Sequence, residues 1–312
     1  MSQLWYKGAP KLEAKKSKSI IHPFVVREHS GLTINPYQGC QHRCAYCYAT
    51  YEWSPEFYDK IYAKSNAPEI LEIELAKWKP STIQPVMISS ATDCYQPAEL
   101  RYGLTRRCIE VLQKYRVPYY VFTKSAIIER DLELHKQYRS NCCVVWSITS
   151  CNEKVRRIVE PGTPPAGKIF AAIKKFADAG VSCAVNVDPI MPLISDTVEE
   201  LDLIIANCKS AGVNHVFGAV LRLRSDIWER MSTVFGLLGI SDAERIYKEI
   251  YNFEVPGSSY LIAKMGYEKK VLDLLEMKVK ESGMLCRFPN HMVPSKIEKP
   301  RLGQRSITGY FA

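Results

Sequence analysis

Three cysteines crowd into one short run, Gly39-Cys40-Gln41-His42-Arg43-Cys44-Ala45-Tyr46-Cys47-Tyr48, with the spacing C-x3-C-x2-C. Three thiolates on a tight loop can hold three corners of a cubane [4Fe–4S] cluster. The fourth iron then has no protein ligand and is open to a small molecule. The rival use of such a loop is a structural zinc site, which is closed by four ligands. His42 is available as a fourth ligand, but its place between two of the cysteines makes tetrahedral closure awkward.

The chain has 312 residues, of which 46% are hydrophobic and 24% charged, an ordinary globular balance with length for a large core. No apolar run approaches the length needed to span a bilayer. The first residues, Met1 to Lys18, are polar and lysine-bearing and have no signal-peptide apolar stretch. These features predict a soluble, cytoplasmic protein without a membrane partner. In a reducing compartment, eleven cysteines point to metal binding and buried thiols, not to a disulfide framework. Cys108, Cys142, Cys143, Cys183 and Cys208 fall in apolar patterns and read as small buried hydrophobes. The net charge of +9 suits a polyanionic partner such as nucleic acid, although solvated lysine faces account for it equally well.

The middle of the chain alternates strands and helices. Candidate strands are Gly31–Asn35, Pro85–Ser90, Pro118–Lys124, Cys142–Thr149, Val181–Asp188 and His215–Leu223, short and apolar as buried parallel strands are. Between them, Ala67–Trp78, Thr105–Tyr115, Glu129–Gln137, Pro165–Ala179 and Ser195–Ala211 carry apolar residues at helical spacing, with Gly180 and Gly212 as stop signals. Repeated βα units with right-handed crossovers make a parallel sheet covered by helices. A closed eight-repeat barrel needs about 250 residues. Six strands predict instead a partial, open (β/α)6 TIM-like barrel of the α/β class over residues 30–229. An extended segment, 1–29, precedes it. A helical extension, 230–288, follows, with a cap-like Ser241-Asp242-Ala243-Glu244 and a further helix over Tyr267–Lys280. Beyond Gly283 the periodicity fails, and residues 289–312 read as a flexible tail.

Polar residues gather at the predicted strand ends: Ser89-Ser90-Ala91-Thr92-Asp93-Cys94-Tyr95-Gln96-Pro97-Ala98-Glu99, Thr123-Lys124-Ser125, Trp146-Ser147, Arg157-Ile158-Val159-Glu160-Pro161 and Asn186-Val187-Asp188. Such clustering suggests a shared pocket at the C-terminal face of the barrel. With Asn35-Pro36-Tyr37 and the cysteine loop, this pattern resembles the radical S-adenosylmethionine (radical SAM) superfamily. Within it the residues resemble one branch, that of spore photoproduct lyase and its photolyase-like relatives, across roughly Ser30 to Leu223.

The resemblance implies a [4Fe–4S] cluster on Cys40, Cys44 and Cys47, and SAM bound to the open iron. It implies reductive cleavage to a 5′-deoxyadenosyl radical, with a reductase or ferredoxin as electron donor. Tyr46 is expected near the adenine, Ser90 and Thr92 near the SAM amino group, Lys124 at its carboxylate and Ser147 at the ribose or carboxylate, with Asp93 a further cofactor-binding residue. Arg157 and Glu160 are expected either at the cofactor or as a surface ion pair. Cys94, with Tyr95, is a candidate hydrogen-atom relay, but Cys94 does not align clearly with the lyase's donor. Simple packing is the rival reading. Lys15, Lys16, Arg222 and Arg224 are candidate phosphate contacts.

The last residues, Gln304-Arg305-Ser306-Ile307-Thr308-Gly309-Tyr310-Phe311-Ala312, resemble a sliding-clamp (PCNA) interaction box. One helical turn brings Ile307, Tyr310 and Phe311 to one face, with Gln304 at its edge. The box implies an archaeal or eukaryotic-type clamp, a DNA partner and a nucleoid-associated, archaeal setting. The reading is therefore a radical SAM enzyme acting on DNA. The alternatives are radical modification of RNA or protein, and a non-enzymatic clamp-bound metal or redox adaptor.

Overall fold

The six apolar runs form six parallel strands in the computed structural model, which describes residues 5–6, 8–26, 29–52, 56–79, 83–253 and 260–289. The strands are β1 (Lys11–Lys15), β2 (Ile21–Val26), β3 (His29–Ile34), β4 (Tyr37–Gln38), β5 (Lys60–Lys64), β6 (Val86–Ile88), β7 (Tyr119–Thr123), β8 (Cys142–Ser147), β9 (Ser182–Ile190) and β10 (His215–Val220). The main sheet has the order β10-β9-β8-β7-β6-β3-β2. All its pairings are parallel except that of β2 with β3. This is the expected partial α/β barrel, left open between β2 and β10. Sequence inspection did not foresee β2 as a seventh, antiparallel strand. Nor did it foresee the small second sheet, β1-β5-β4, that flanks the cysteine loop.

Strand alternation divides the core into two faces. Ile34, Ile88, Val121, Val144 and Cys183 form one continuous rung, all buried beneath the helices. Met87, Tyr120 and Cys143 lie on the concave face, followed by Phe122, Val145 and Ala184 one rung higher and by Ser147, Asn186 and Phe217 above them. The sheet is thus apolar on both faces at its base, and the concave face turns polar where the strands end. The five expected interior thiols are free and buried.

Some local expectations are corrected. The helix expected from Ser195 begins only at Val198, because Thr197 caps it by accepting the Glu200 N–H. Ser195 belongs to the preceding turn, where its Oγ accepts the Met191 N–H at 2.9 Å. Glu129–Gln137 divides into a 3-10 turn over Ile127–Asp131 and an α-helix over Leu132–Gln137. Asp242 precedes the helix Ala243–Ile250 without a side-chain cap, and Glu244 pairs forward with Lys248 at 2.7 Å.

Residues 284–289 do not lead away from the barrel. Leu285 bridges His215 on β10, and Phe288 packs edge-on against Tyr120 and Phe217 with centroids 5.4 and 5.7 Å apart. Residues 290–312 lie outside the described residues, and with them the clamp-box positions Gln304, Ile307, Tyr310 and Phe311.

Behind the sheet, His135 is fully buried between the hydroxyls of Tyr95 and Tyr119, each 3.2 Å from a ring nitrogen. Burial holds its imidazole down to about 4, partly opposed by Asp131. Protonation therefore favours the unfolded chain. Stability from this group is complete above its ordinary value of 6.5 and is lost as the pH falls toward 4. The upper bound is about 3 kcal/mol, at 1.36 kcal/mol per unit. Urea midpoints measured from pH 7 to pH 4 should fall steeply, and His135→Gln should flatten that part of the profile.

Candidate active site

The chain between β3 and β6 is held in place residue by residue. Gly39 has φ +81°, and a Cβ there would lie 2.2 Å from the Lys60 carbonyl oxygen, so only glycine admits the turn into the cysteine loop. Asn35 explains the Asn-Pro-Tyr motif: its Nδ2 donates to Ser90 Oγ at 3.1 Å, and its Oδ1 accepts the Ala91 N–H at 3.1 Å. The Tyr37 hydroxyl donates to the buried Glu99 carboxylate, which also accepts Thr105 N–H and pairs with Arg130 at 2.8 Å. Thr92 Oγ1 donates to Tyr37 O at 3.0 Å. Gln96 spans the loop itself, donating to Gly39 O at 3.1 Å and accepting the Gln41 N–H at 2.9 Å. The Thr92–Glu99 run is thus largely a scaffold for the cysteine loop.

From the other side, the segment after the helix Glu153–Val159 docks on the loop. Ala45 N–H donates to Val159 O at 2.8 Å, and Gly162 N–H to His42 O at 3.0 Å. A Cβ on Gly162 would lie 2.0 Å from Gln41 O, so the close approach of the two backbones requires glycine. Tyr58 Oη donates to Cys44 O at 2.6 Å.

All three thiols line one cavity of about 1000 Å³ on the concave side of the sheet, with Cys40 and Cys44 only 8% and 7% exposed. Tyr46, Ser90, Thr92, Asp93, Lys124, Ser147, Asn186 and Asp188 line the same space. Burial pushes the Cys40 thiol up to about 12 and raises Cys44 and Cys47 as well. Bare thiols in this setting keep their protons, and metal binding would displace them. His42 lines the same cavity, and its buried ring lies with Nδ1 3.3 Å from Asp93 Oδ2. Among the described residues no three His, Cys, Asp or Glu side chains gather around a single metal ion. Three separate thiols along one cavity wall, with the loop's backbone already bonded elsewhere, match the donor set of a cluster with an open iron.

Glu160 is the electrostatic centre of the site. It is buried, and its oxygens meet Lys124 Nζ at 3.1 Å, Arg156 Nη1 at 3.2 Å, Thr149 Oγ1 at 2.8 Å and the Tyr46 hydroxyl. Burial alone would raise its pKa, but Lys124 and Arg156 outweigh that and bring it down to about 2. Asp93 plays a lesser, similar part. Burial opposes its ionisation, yet His42 and the N–H groups of Lys124 and Tyr95 hold it below the usual carboxylate range.

Three expectations are corrected here. Arg157 is exposed, and Arg156 makes the ion pair with Glu160, because the i,i+4 spacing carries Arg156 to the buried face. The pair is therefore deep in the core, not at the surface. Cys94 and Tyr95 pack among the residues behind the sheet and do not line the cavity; the Tyr95 hydroxyl lies 3.2 Å from Asp131 Oδ2 and from His135 Nε2. They are not placed for a hydrogen-atom relay. Lys124 lines the cavity and pairs with Glu160 at 3.1 Å. Of the phosphate candidates, Arg222 lines the cavity, Lys15 bonds the Gln38 side chain, and Arg224 is buried over the Tyr260 ring at 4.8 Å. Sequence inspection missed Asn186 and Asp188 as individual cavity residues, and Arg156, whose signal was its helical register.

The family model of the radical SAM superfamily matches residues 34–208, more than half of the chain. The chain belongs to the radical SAM superfamily. Enzymes of this superfamily use a [4Fe–4S] cluster and S-adenosylmethionine. An uncharacterized protein of Mycobacterium tuberculosis is 32% identical over 209 residues, 63% of this chain and 61% of its own length. Uncharacterized proteins of Methanocaldococcus jannaschii and Acidianus two-tailed virus are 29% and 26% identical, over 58% and 64% of this chain and 68% and 73% of their own. The chain thus spans 61% of the length of its mycobacterial relatives.

Among solved structures, spore photoproduct lyase complexed with dinucleoside spore photoproduct aligns at TM-score 0.69 and 15% identity, over 89% of this chain and 82% of the lyase. A mutant of that lyase with bound S-adenosylmethionine and the dinucleoside aligns at TM-score 0.68 and 14% identity, over 91% of this chain and 87% of the lyase. At such identity the likeness is one of fold.

Removing the Glu160 charge strands two cations in the core. Glu160→Gln should lower stability by about 3–5 kcal/mol, the usual cost of breaking a buried pair. A shift in urea midpoint at pH 7 would register this, and an unchanged midpoint would show that the cations relax to solvent.

Proposed function

We propose that this radical SAM protein is a DNA-directed enzyme in which Cys40, Cys44 and Cys47 hold the [4Fe–4S] cluster. The observation that carries the reading is the meeting of three thiols and the polar strand ends in one cavity. When bound, the cluster and SAM supply an electron and a carbon-centred radical.

The protein's own contribution is binding, orientation and exclusion of water. The thiols give up protons to take iron. Tyr46, fixed through its hydroxyl on Glu160, presents its ring to the cavity beside the loop, where an adenine can lie against it. Ser147 and Asn186 share one rung and offer hydroxyl and amide groups to a ribose or carboxylate. Lys124 offers a cation whose local balance with Glu160 keeps it in place. The aromatic base of the barrel, with Phe288 across Tyr120 and Phe217, excludes water from below.

The DNA target rests on two supports. The net charge of +9 favours a polyanion. The fold is shared with a lyase whose solved structure holds a dinucleoside photoproduct. A base inside a duplex would have to be flipped out to reach the cavity. The Gln304, Ile307, Tyr310, Phe311 pattern further suggests recruitment by a sliding clamp, which would raise the local concentration of enzyme at DNA.

The anaerobically reconstituted protein under dithionite should cleave SAM, and cleavage should rise with UV-damaged DNA. Cleavage indifferent to DNA would redirect the substrate search to RNA or protein. Cys44→Ala should lose both iron and SAM cleavage; a variant that still cleaves SAM would refute the ligand set. Tyr310→Ala with Phe311→Ala should abolish binding to PCNA in a pull-down, and undiminished binding would remove the clamp reading.

A further inference from the structure

Beyond the segment matched by the family, the helix Ser225–Leu238 sends one side chain back to the cysteine loop. Arg230 is nearly buried, at 11% exposure. Its Nε donates to Ala45 O at 2.6 Å, and its Nη2 donates to Cys47 O at 3.0 Å. Asp226, one turn earlier, holds the guanidinium by its Nη1 at 3.0 Å. Thr50 completes the knot, with Oγ1 2.9 Å from Cys47 O and 3.0 Å from Asp226 Oδ2. The guanidinium also lies 5.9 Å from the ring centroid of Tyr58, the residue that bonds Cys44 O.

One rigid fork thus fixes two carbonyls of the turn that carries the second and third thiols. A lysine point charge would not reproduce that geometry. The positive charge is bonded to the carbonyl of Cys47 itself, one of the three thiol-bearing residues. Asp226 is the more exposed partner of the pair.

We infer that Arg230 is a positioning residue for the cluster, which it serves by fixing the loop carbonyls and by setting the reduction potential through its charge. The inference rests on the [4Fe–4S] reading above. Added electrons are stabilised by a nearby cation, and cluster potentials respond to net charge and hydrogen bonding around the thiolates. Arg230 therefore makes the cluster easier to reduce and slower to lose.

The test uses the full-length protein, reconstituted anaerobically, as wild type, Arg230→Met and Arg230→Lys. Methionine keeps an apolar stem, whereas lysine keeps the charge without the fork. Three quantities are read: iron content, the rate of iron release to a chelator, and the midpoint potential from an EPR-monitored redox titration. Far-UV circular dichroism and thermal unfolding of the apo forms report folding.

Arg230→Met is expected to shift the potential to more negative values and to release iron several-fold faster. Arg230→Lys is expected to recover most of the potential but to remain labile. If Arg230→Met has the wild-type potential and release rate, the inference is overturned while the cluster reading stands. If Arg230→Met does not fold, Arg230→Lys decides: wild-type lability overturns the positioning role, and increased lability supports it. A wild-type protein that binds no iron overturns the cluster reading itself, and the inference with it.

Discussion

The buried carboxylate of Glu160 ties together parts of the chain that share no local sequence. It receives Lys124 from the end of β7, Thr149 from beyond β8, Arg156 from its own helix and Tyr46 from the cysteine loop. An isolated carboxylate at such depth would be prohibitively costly, so its four partners are conditions of one another's placement. Arg156 is held further by Ser150 O, Thr163 Oγ1 and Pro164 O, and Lys124 lies 3.4 Å from Ser147 O. The shape of the cavity wall beneath the thiols follows from this mutual dependence.

A second principle is the division of labour between backbone and side chains of the loop. Its carbonyls and N–H groups are taken by Tyr58, Gln96, Val159, Gly162 and Arg230. Its sulfurs face the cavity. With these backbone groups bonded away from the cavity, the thiols are the polarisable groups on the cavity side.

Much of this was legible in the sequence, for identifiable reasons. The six parallel strands were readable because each is an apolar run punctuated by helical periodicity and glycine stops, and their ends fell within a few residues of expectation. The cysteine loop was readable because its donors are adjacent in sequence. What escaped depends on distance. Arg230 meets a loop 185 residues earlier, and no periodicity announces that. Arg156 and Arg157 are neighbours whose fates differ by one step of helical rotation, which a one-residue error in register inverts. Cys94 and Tyr95 looked like site residues because the surrounding run is polar. The chain turns there, and Thr92 and Gln96 serve the loop while Cys94 and Tyr95 enter the core behind the sheet. The strands β1, β4 and β5 carry lysines and tyrosines and lack the apolar signature of the main sheet.

The docking of Phe288 has a thermodynamic side. The concave face is completed by a residue from the last described segment of the chain, lodged against rings on β7 and β10. Any molecule that fills the cavity therefore contacts a wall built from both ends of the described fold, from Phe24 on β2 to Phe288. Occupancy and closure of the barrel become linked equilibria: binding free energy adds to the cohesion of the first and last strands, and fraying at that seam subtracts from affinity. In this protein the apparent strength of ligand binding and the integrity of the open edge of the barrel are two measures of the same reserve.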